Sequence, residues 1–109
     1  MPEITQLPAV YYAAPEVLAV FDATGPRPQF LVDSEKLKVL VVGLKPGQQL
    51  PPHPEALAVY HFLSGCGLMT VNSEPFAVSA GAVVIAPPGA SRGVVAESQL
   101  TFLAVKSGI

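Results

Sequence analysis

The stretch "GAVVIAPPGASRGVV", residues 81–95, runs from Gly81 through five apolar residues to Pro87, Pro88 and Gly89, and then meets Arg92, the only arginine after Arg27. A Val/Ile run bounded by Gly on one side and Pro-Pro-Gly on the other reads as a short buried strand leading into a tight turn. Only 13% of the residues in this chain are charged. A guanidinium placed just after a buried strand in such a chain needs a partner, which makes Arg92 the first candidate site residue.

Working outward, the same alternation of apolar run and turn recurs along the chain. Twelve prolines and nine glycines leave no room for a helical pattern of useful length, so the fold class is all-β. Strands are expected at 17–22, 28–33, 37–44, 57–63, 67–72, 76–79, 82–87 and 100–106. Turns are expected at 24–28, 45–49, 64–67, 72–74, 79–81 and 87–91, each holding residues suited to positive or fixed φ. Asn72-Ser73 reads as a hairpin turn that sets "GLMTV" antiparallel to "FAVSAG". Only "SEKLK", 34–38, looks briefly helical. Short strands at this spacing predict a sandwich or barrel within a single domain, 1–109, whose Pro- and Ala-rich first 16 residues form an arm over the barrel or over a neighbouring subunit.

Composition narrows the function. Half the residues are apolar, a balance that excludes disorder and fits a protein that covers part of its surface with a second copy, a homodimer. The net charge of -2 is scattered, with no basic stripe to neutralise phosphates, so nucleic acid is not an expected partner. The N-terminus lacks the basic leader and apolar run of a signal peptide, and no apolar run approaches the roughly 20 residues of a membrane span. One cysteine, Cys66, makes no internal disulfide, and the default compartment is a reducing cytoplasm. In "SGCGL" it has no histidine at a fixed relation to it and reads as a small apolar filler.

The two histidines, His53 and His61, both lie in "LKPGQQLPPHPEALAVYHFLSG", residues 44–65. Along an extended chain His53 and Glu55 point to the same side, a spacing at which two side chains reach one divalent ion. Two ligands seldom hold a metal without a third, so the alternative is a polar loop at a barrel mouth.

Gly47, His53 and Glu55, followed by "FLSGCG", resemble the first motif of the cupin superfamily: Gly, five residues, His, one residue, His, three or four residues, Glu, six residues, Gly. Residues 81–95 resemble the second motif more closely, with Gly81, Pro87 and Gly89 at full spacing. The resemblance covers about residues 38–106 and implies a double-stranded β-helix of the jelly-roll type. It also implies a metal held by two His and a Glu of the first motif and a His of the second. Here the motif Glu position falls at Ala58 or Val59, Arg92 stands at the second-motif His, and Ala96 replaces its Asn. A guanidinium has no lone pair for a metal.

Three readings follow. The first is a cupin with a degraded metal site whose barrel, lined by Tyr60 and Phe62 with His53, Glu55 and Arg92 at its mouth, binds a small anionic or partly apolar ligand without a cofactor. Arg92 would then fork onto a ligand carboxylate or phosphate, or else pair internally with Glu55. The second is a metal-dependent enzyme, dioxygenase- or isomerase-like, holding Zn, Fe, Mn or Ni with His53, Glu55 and His61. It needs His61 to face the barrel interior, whereas the backward match from Gly65 turns it outward. The third is a non-catalytic structural or regulatory dimer.

Overall fold

The structure, a computed structural model, describes residues 8–108. Its nine strands are β1 (Gln29–Asp33), β2 (Leu37–Leu44), β3 (Gln49–Pro54), β4 (Ala58–Ser64), β5 (Cys66–Val71), β6 (Glu74–Ser79), β7 (Val83–Ala86), β8 (Ser91–Ala96) and β9 (Leu100–Ser107). All pairings are antiparallel and make two facing sheets, ordered β1-β2-β9-β4-β7 and β3-β8-β5-β6. This is the jelly-roll arrangement of a double-stranded β-helix, as expected.

Alternation along the strands builds the core. Leu40, Val42 and Leu44 of β2, Ala58, Tyr60 and Phe62 of β4, and Leu100, Phe102 and Ala104 of β9 turn inward to meet Met69, Val71 and Val94 of the second sheet. Phe102 sits at the centre, its ring centroid 5.9 Å from that of Tyr60 and 5.4 Å from that of Phe62, tilted to both, an arrangement that aromatic quadrupoles favour.

Four sequence expectations change, the first being that residues 91–96, for which no strand was expected, form β8, the strand that carries Arg92. Residues 17–22 form no strand: Pro15 opens a short 3-10 helix, Pro15–Leu18, and the chain then runs extended. Phe21 lies against Gly43, where a Cβ would stand 2.8 Å from the ring, so this segment covers the outer face of β2. "SEKLK" is not helical: the Ser34 hydroxyl donates to the Leu37 carbonyl and accepts from its N–H, which forms a tight turn into β2. The Pro-rich "QLPPHP" is a full strand, β3. Its prolines are tolerated because, among the described residues, β3 is a sheet edge, paired only with β8 and irregular between Leu50 and His53. Of the expected N-terminal arm, residues 1–7 lie outside the described residues.

Candidate functional site

Arg92 is on β8, opposite His53 of β3 in the strand register, and is 2% exposed. Its Nε donates to the Ala90 carbonyl (3.0 Å), Nη1 to the Ala56 carbonyl (2.6 Å), and Nη2 to the carbonyls of Glu55 (3.0 Å) and Pro87 (2.9 Å). Four backbone carbonyls from two turns, one between β3 and β4 and one between β7 and β8, thus converge on one guanidinium. The sequence offered Arg92 either a ligand anion or the Glu55 carboxylate. The structure gives it neither: it bonds the Glu55 main chain, and with four contacts spread over its five N–H groups it has no free fork for a bidentate anion.

The Glu55 carboxylate pairs instead with Lys106, at the end of β9, whose Nζ donates to Oε1 at 2.8 Å and Oε2 at 3.1 Å. His53 completes the chain, its Nε2 2.8 Å from Glu55 Oε2 and its Nδ1 3.1 Å from the Pro51 carbonyl oxygen. Burial works against ionisation of Glu55, but the hydrogen bond and charge of Lys106, aided by the charges of His53 and Arg92, outweigh it and hold its carboxyl below the ordinary glutamate range.

These groups close one end of a cavity of about 150 Å³ between the sheets. Its walls are Leu40, Val42, Leu50, Val94, Phe102 and Ala104, and its polar end is formed by His53, Glu55, Tyr60, Arg92 and Lys106. Burial pushes the Tyr60 phenol above the ordinary tyrosine range, while hydrogen bonding and charge from Arg92 act in the opposite direction. Tyr60 therefore stays neutral near pH 7 and keeps a hydroxyl at the polar end of the cavity. Phe62 does not line it; fully buried, it packs behind Phe102, which takes the wall position expected of Phe62.

Lys106 was not among the candidates drawn from the sequence. Its signal was the inward alternation of β9, Leu100, Phe102, Ala104, Lys106, which puts the last of these at the cavity end.

His61 is exposed on the opposite face of β4 from Tyr60 and Phe62, between Val83 of β7 and Leu103 of β9. The candidate set His53, Glu55 and His61 is thus not assembled, because strand alternation turns His61 away. Among the described residues no group of three or more His, Cys, Asp and Glu side chains is placed to hold a metal ion. Around His53 and Glu55 the remaining neighbours are the cations Lys106 and Arg92, and both Glu55 oxygens and both His53 nitrogens are already engaged. This donor set does not fit a divalent cation.

The comparisons with known proteins agree with this architecture. No curated protein matches the chain in sequence. Among solved structures, a conserved protein of unknown function from Streptococcus pyogenes superposes with a TM-score of 0.82 at 21% identity, over 98% of this chain and 95% of that one. A cupin superfamily protein from Desulfitobacterium hafniense does so at 0.83 and 12% identity, over 97% and 98%. A variant of the salicylate 1,2-dioxygenase from Pseudoaminobacter salicylatoxidans gives 0.71 at 18% identity; 78% of this chain is covered but only 27% of that one. The sequence itself matches the Cupin domain family over residues 40–106, which with the jelly-roll fold establishes that the chain belongs to the cupin family.

Proposed function

We propose that this cupin binds a small, largely apolar molecule with one polar end in the cavity between its sheets, and that it does so without metal chemistry. The observation that carries this reading is the cavity itself: about 150 Å³, walled by aliphatic side chains and Phe102, with Tyr60, His53, Glu55 and Lys106 gathered at one end. Apolar walls with a few convergent polar groups are the usual make-up of a ligand pocket, and a space of this size holds a benzene-sized molecule. The dioxygenase-like alternative draws on the likeness to the salicylate dioxygenase, which at 18% identity concerns the fold alone. The engagement of His53 and Glu55 by protein partners weighs against it.

The test is thermal unfolding and amide NMR of the purified protein with a panel of small aromatic and branched aliphatic compounds bearing one oxygen-containing group. A binder raises the unfolding temperature, because it associates only with the folded state, and perturbs resonances around Val42, Val94 and Phe102. Ala104→Leu, which fills the cavity from β9, removes both effects. The reading is sunk if no compound perturbs those resonances, or if Ala104→Leu leaves binding intact.

The partner proposed for the outer surface is a second copy of the chain. Across β7, β4, β9 and β2 the register sets Ile85, Val59, Val105 and Val39 in one outward row, and Val83, His61, Leu103 and Val41 in the next. Ile85 is 64% and Val83 55% exposed, and neither row holds an acid, lysine or arginine. A contiguous apolar face without charge suits a self-complementary, two-fold contact. The lone free cysteine accords with action in a reducing compartment such as the cytoplasm.

A further inference from the structure

The charges around the cavity are unequal. Among the described residues Glu55 is the sole acid lining it, beside two basic side chains, Arg92 and Lys106. Arg92 is buried, and its hydrogen bonds to Glu55, Ala56, Pro87 and Ala90 end on carbonyl oxygens, which are dipoles and not counter-charges. Lys106, by contrast, is held across both oxygens of one carboxylate. The two halves of that pair sit on different elements: Lys106 stands on β9, central in the five-stranded sheet, and Glu55 follows the edge strand β3 in the turn to β4, and both side chains are partly open to solvent, 21% and 25%.

We propose that the Glu55 carboxylate is an internal stand-in for the carboxylate of a small apolar monocarboxylic acid, which enters the cavity body-first and displaces Glu55 from Lys106. This rests on the cavity-binding reading above and names its ligand class. The exchange replaces one carboxylate on Lys106 by another, leaves Glu55 with His53 at the solvent side, and adds one negative charge where cations are in excess. The Tyr60 hydroxyl, whose oxygen Arg92 approaches, supplies a second donor for the incoming carboxylate. An amine would bring a third cation against Arg92 and Lys106, and a phosphate has more acceptor oxygens than Lys106 and Tyr60 can serve. Glu55 is then the residue that sets affinity, because every bound carboxylate has to outcompete it.

Calorimetry with benzoate and isovalerate, each beside its neutral amide, on wild type, Glu55→Gln and Lys106→Met tests this. Removing the competitor should tighten the acids about ten-fold or more and leave the amides within a factor of about two. Lys106→Met should weaken the acids about ten-fold or more and spare the amides. The double variant Glu55→Gln, Lys106→Met, which leaves neither charge unpaired, should bind acids and amides alike and guards against misfolding of Lys106→Met. The exchange is refuted if Glu55→Gln binds the acids no tighter than wild type, or if Lys106→Met or the double variant binds them as well as Glu55→Gln does. If the amides bind in the cavity while the acids fail in these ways, only the exchange falls. If neither class perturbs the cavity resonances, the cavity reading falls with it.

Discussion

At the scale of single residues, Arg92 is a staple. Its guanidinium draws the Glu55 and Ala56 carbonyls of one turn and the Pro87 and Ala90 carbonyls of another to a single buried point, and so fixes where Glu55 leaves the main chain. Arg92→Met should cost about 2–4 kcal/mol, because it leaves buried carbonyls without donors, and Arg92→Lys should recover only part, having three donors for four acceptors. Urea unfolding measures both; a loss below about 0.5 kcal/mol for Arg92→Met would show that the contacts are incidental. Glu55 gives a second prediction. Its carboxyl is held below the ordinary range in the fold, so the folded state binds this proton less readily than the unfolded chain does. Its contribution is therefore complete above the ordinary glutamate pKa near 4.3 and disappears as the pH falls through the depressed folded value. Wild type should lose stability on acidification through that window more steeply than Glu55→Gln, as followed by melting temperature between pH 6 and 3. The sequence reaches this site only in part. The spacing of Gly81, Pro87 and Gly89 places Arg92 at the turn, and alternation pairs His53 with Glu55. The partners of Arg92 are main-chain oxygens, which every residue carries, so no residue type in the sequence announces them. The outward turn of His61 stays open in the sequence because both faces of β4 are apolar on either side of it, Tyr60 and Phe62 inward and Val59 and Leu63 outward.

At the scale of elements, turns carry more information than runs. Asn72 and Ser73 have φ of 49° and 70°, the pair of positive values that a two-residue hairpin of this hand requires, and they join β5 to β6 as the sequence implied. The Asn72 side chain also accepts the Ser91 N–H, which ties the hairpin to β8. Ser73 has no such reason to occupy the left-handed region, so Ser73→Gly should raise stability by about 0.5–1 kcal/mol, net of the entropy that glycine adds to the unfolded chain. Chemical denaturation decides it, and a loss of stability would mean that the Ser73 side chain contributes to the turn. Gly65, at φ 82°, lies against the Gln99 carbonyl with no space for a Cβ, and joins β4 to β5 in the "SGCG" turn. Where the sequence misleads, a run was read without its flanks. "VLAVFD" has strand-like composition, but Pro15 starts a helical turn that takes in its first two residues, Val17 and Leu18, and the segment lies on the outside of β2. "QLPPHP" has the composition of a loop, and only its position at a sheet edge lets three prolines serve in a strand.

At the scale of the whole molecule, two faces of the same five-stranded sheet divide the work. Its inner face supplies most of the core and the walls of the cavity, through Leu40, Val42, Tyr60, Phe102 and Ala104. Its outer face repeats the apolar character, and among the described residues no second sheet covers it. The segment around Phe21 lies against Gly43 at the β2 end, where Val41 is fully buried, while the β7 end stays open at Val83 and Ile85. One end of the outward rows is thus closed by the chain itself and the other is exposed. The second copy proposed above would cover it with no lysine, arginine or acid to desolvate, and the central His61 would bring a polar edge to its symmetry mate. Light scattering after size exclusion should therefore give twice the chain mass for wild type at about 100 μM, and the monomer mass for Ile85→Lys, since a lysine in each of two facing rows sets like charges together. The same substitution on an exposed strand position should change the stability of the monomer itself by no more than about 0.5 kcal/mol, so loss of the dimer is separable from loss of the fold. A wild type that is monomeric at that concentration, or an Ile85→Lys variant that remains dimeric, removes the outer face as the contact. The cavity lies on the other side of the sheet, so ligand binding is expected to survive the conversion to monomer, which makes the two proposals independent in experiment as they are in the structure.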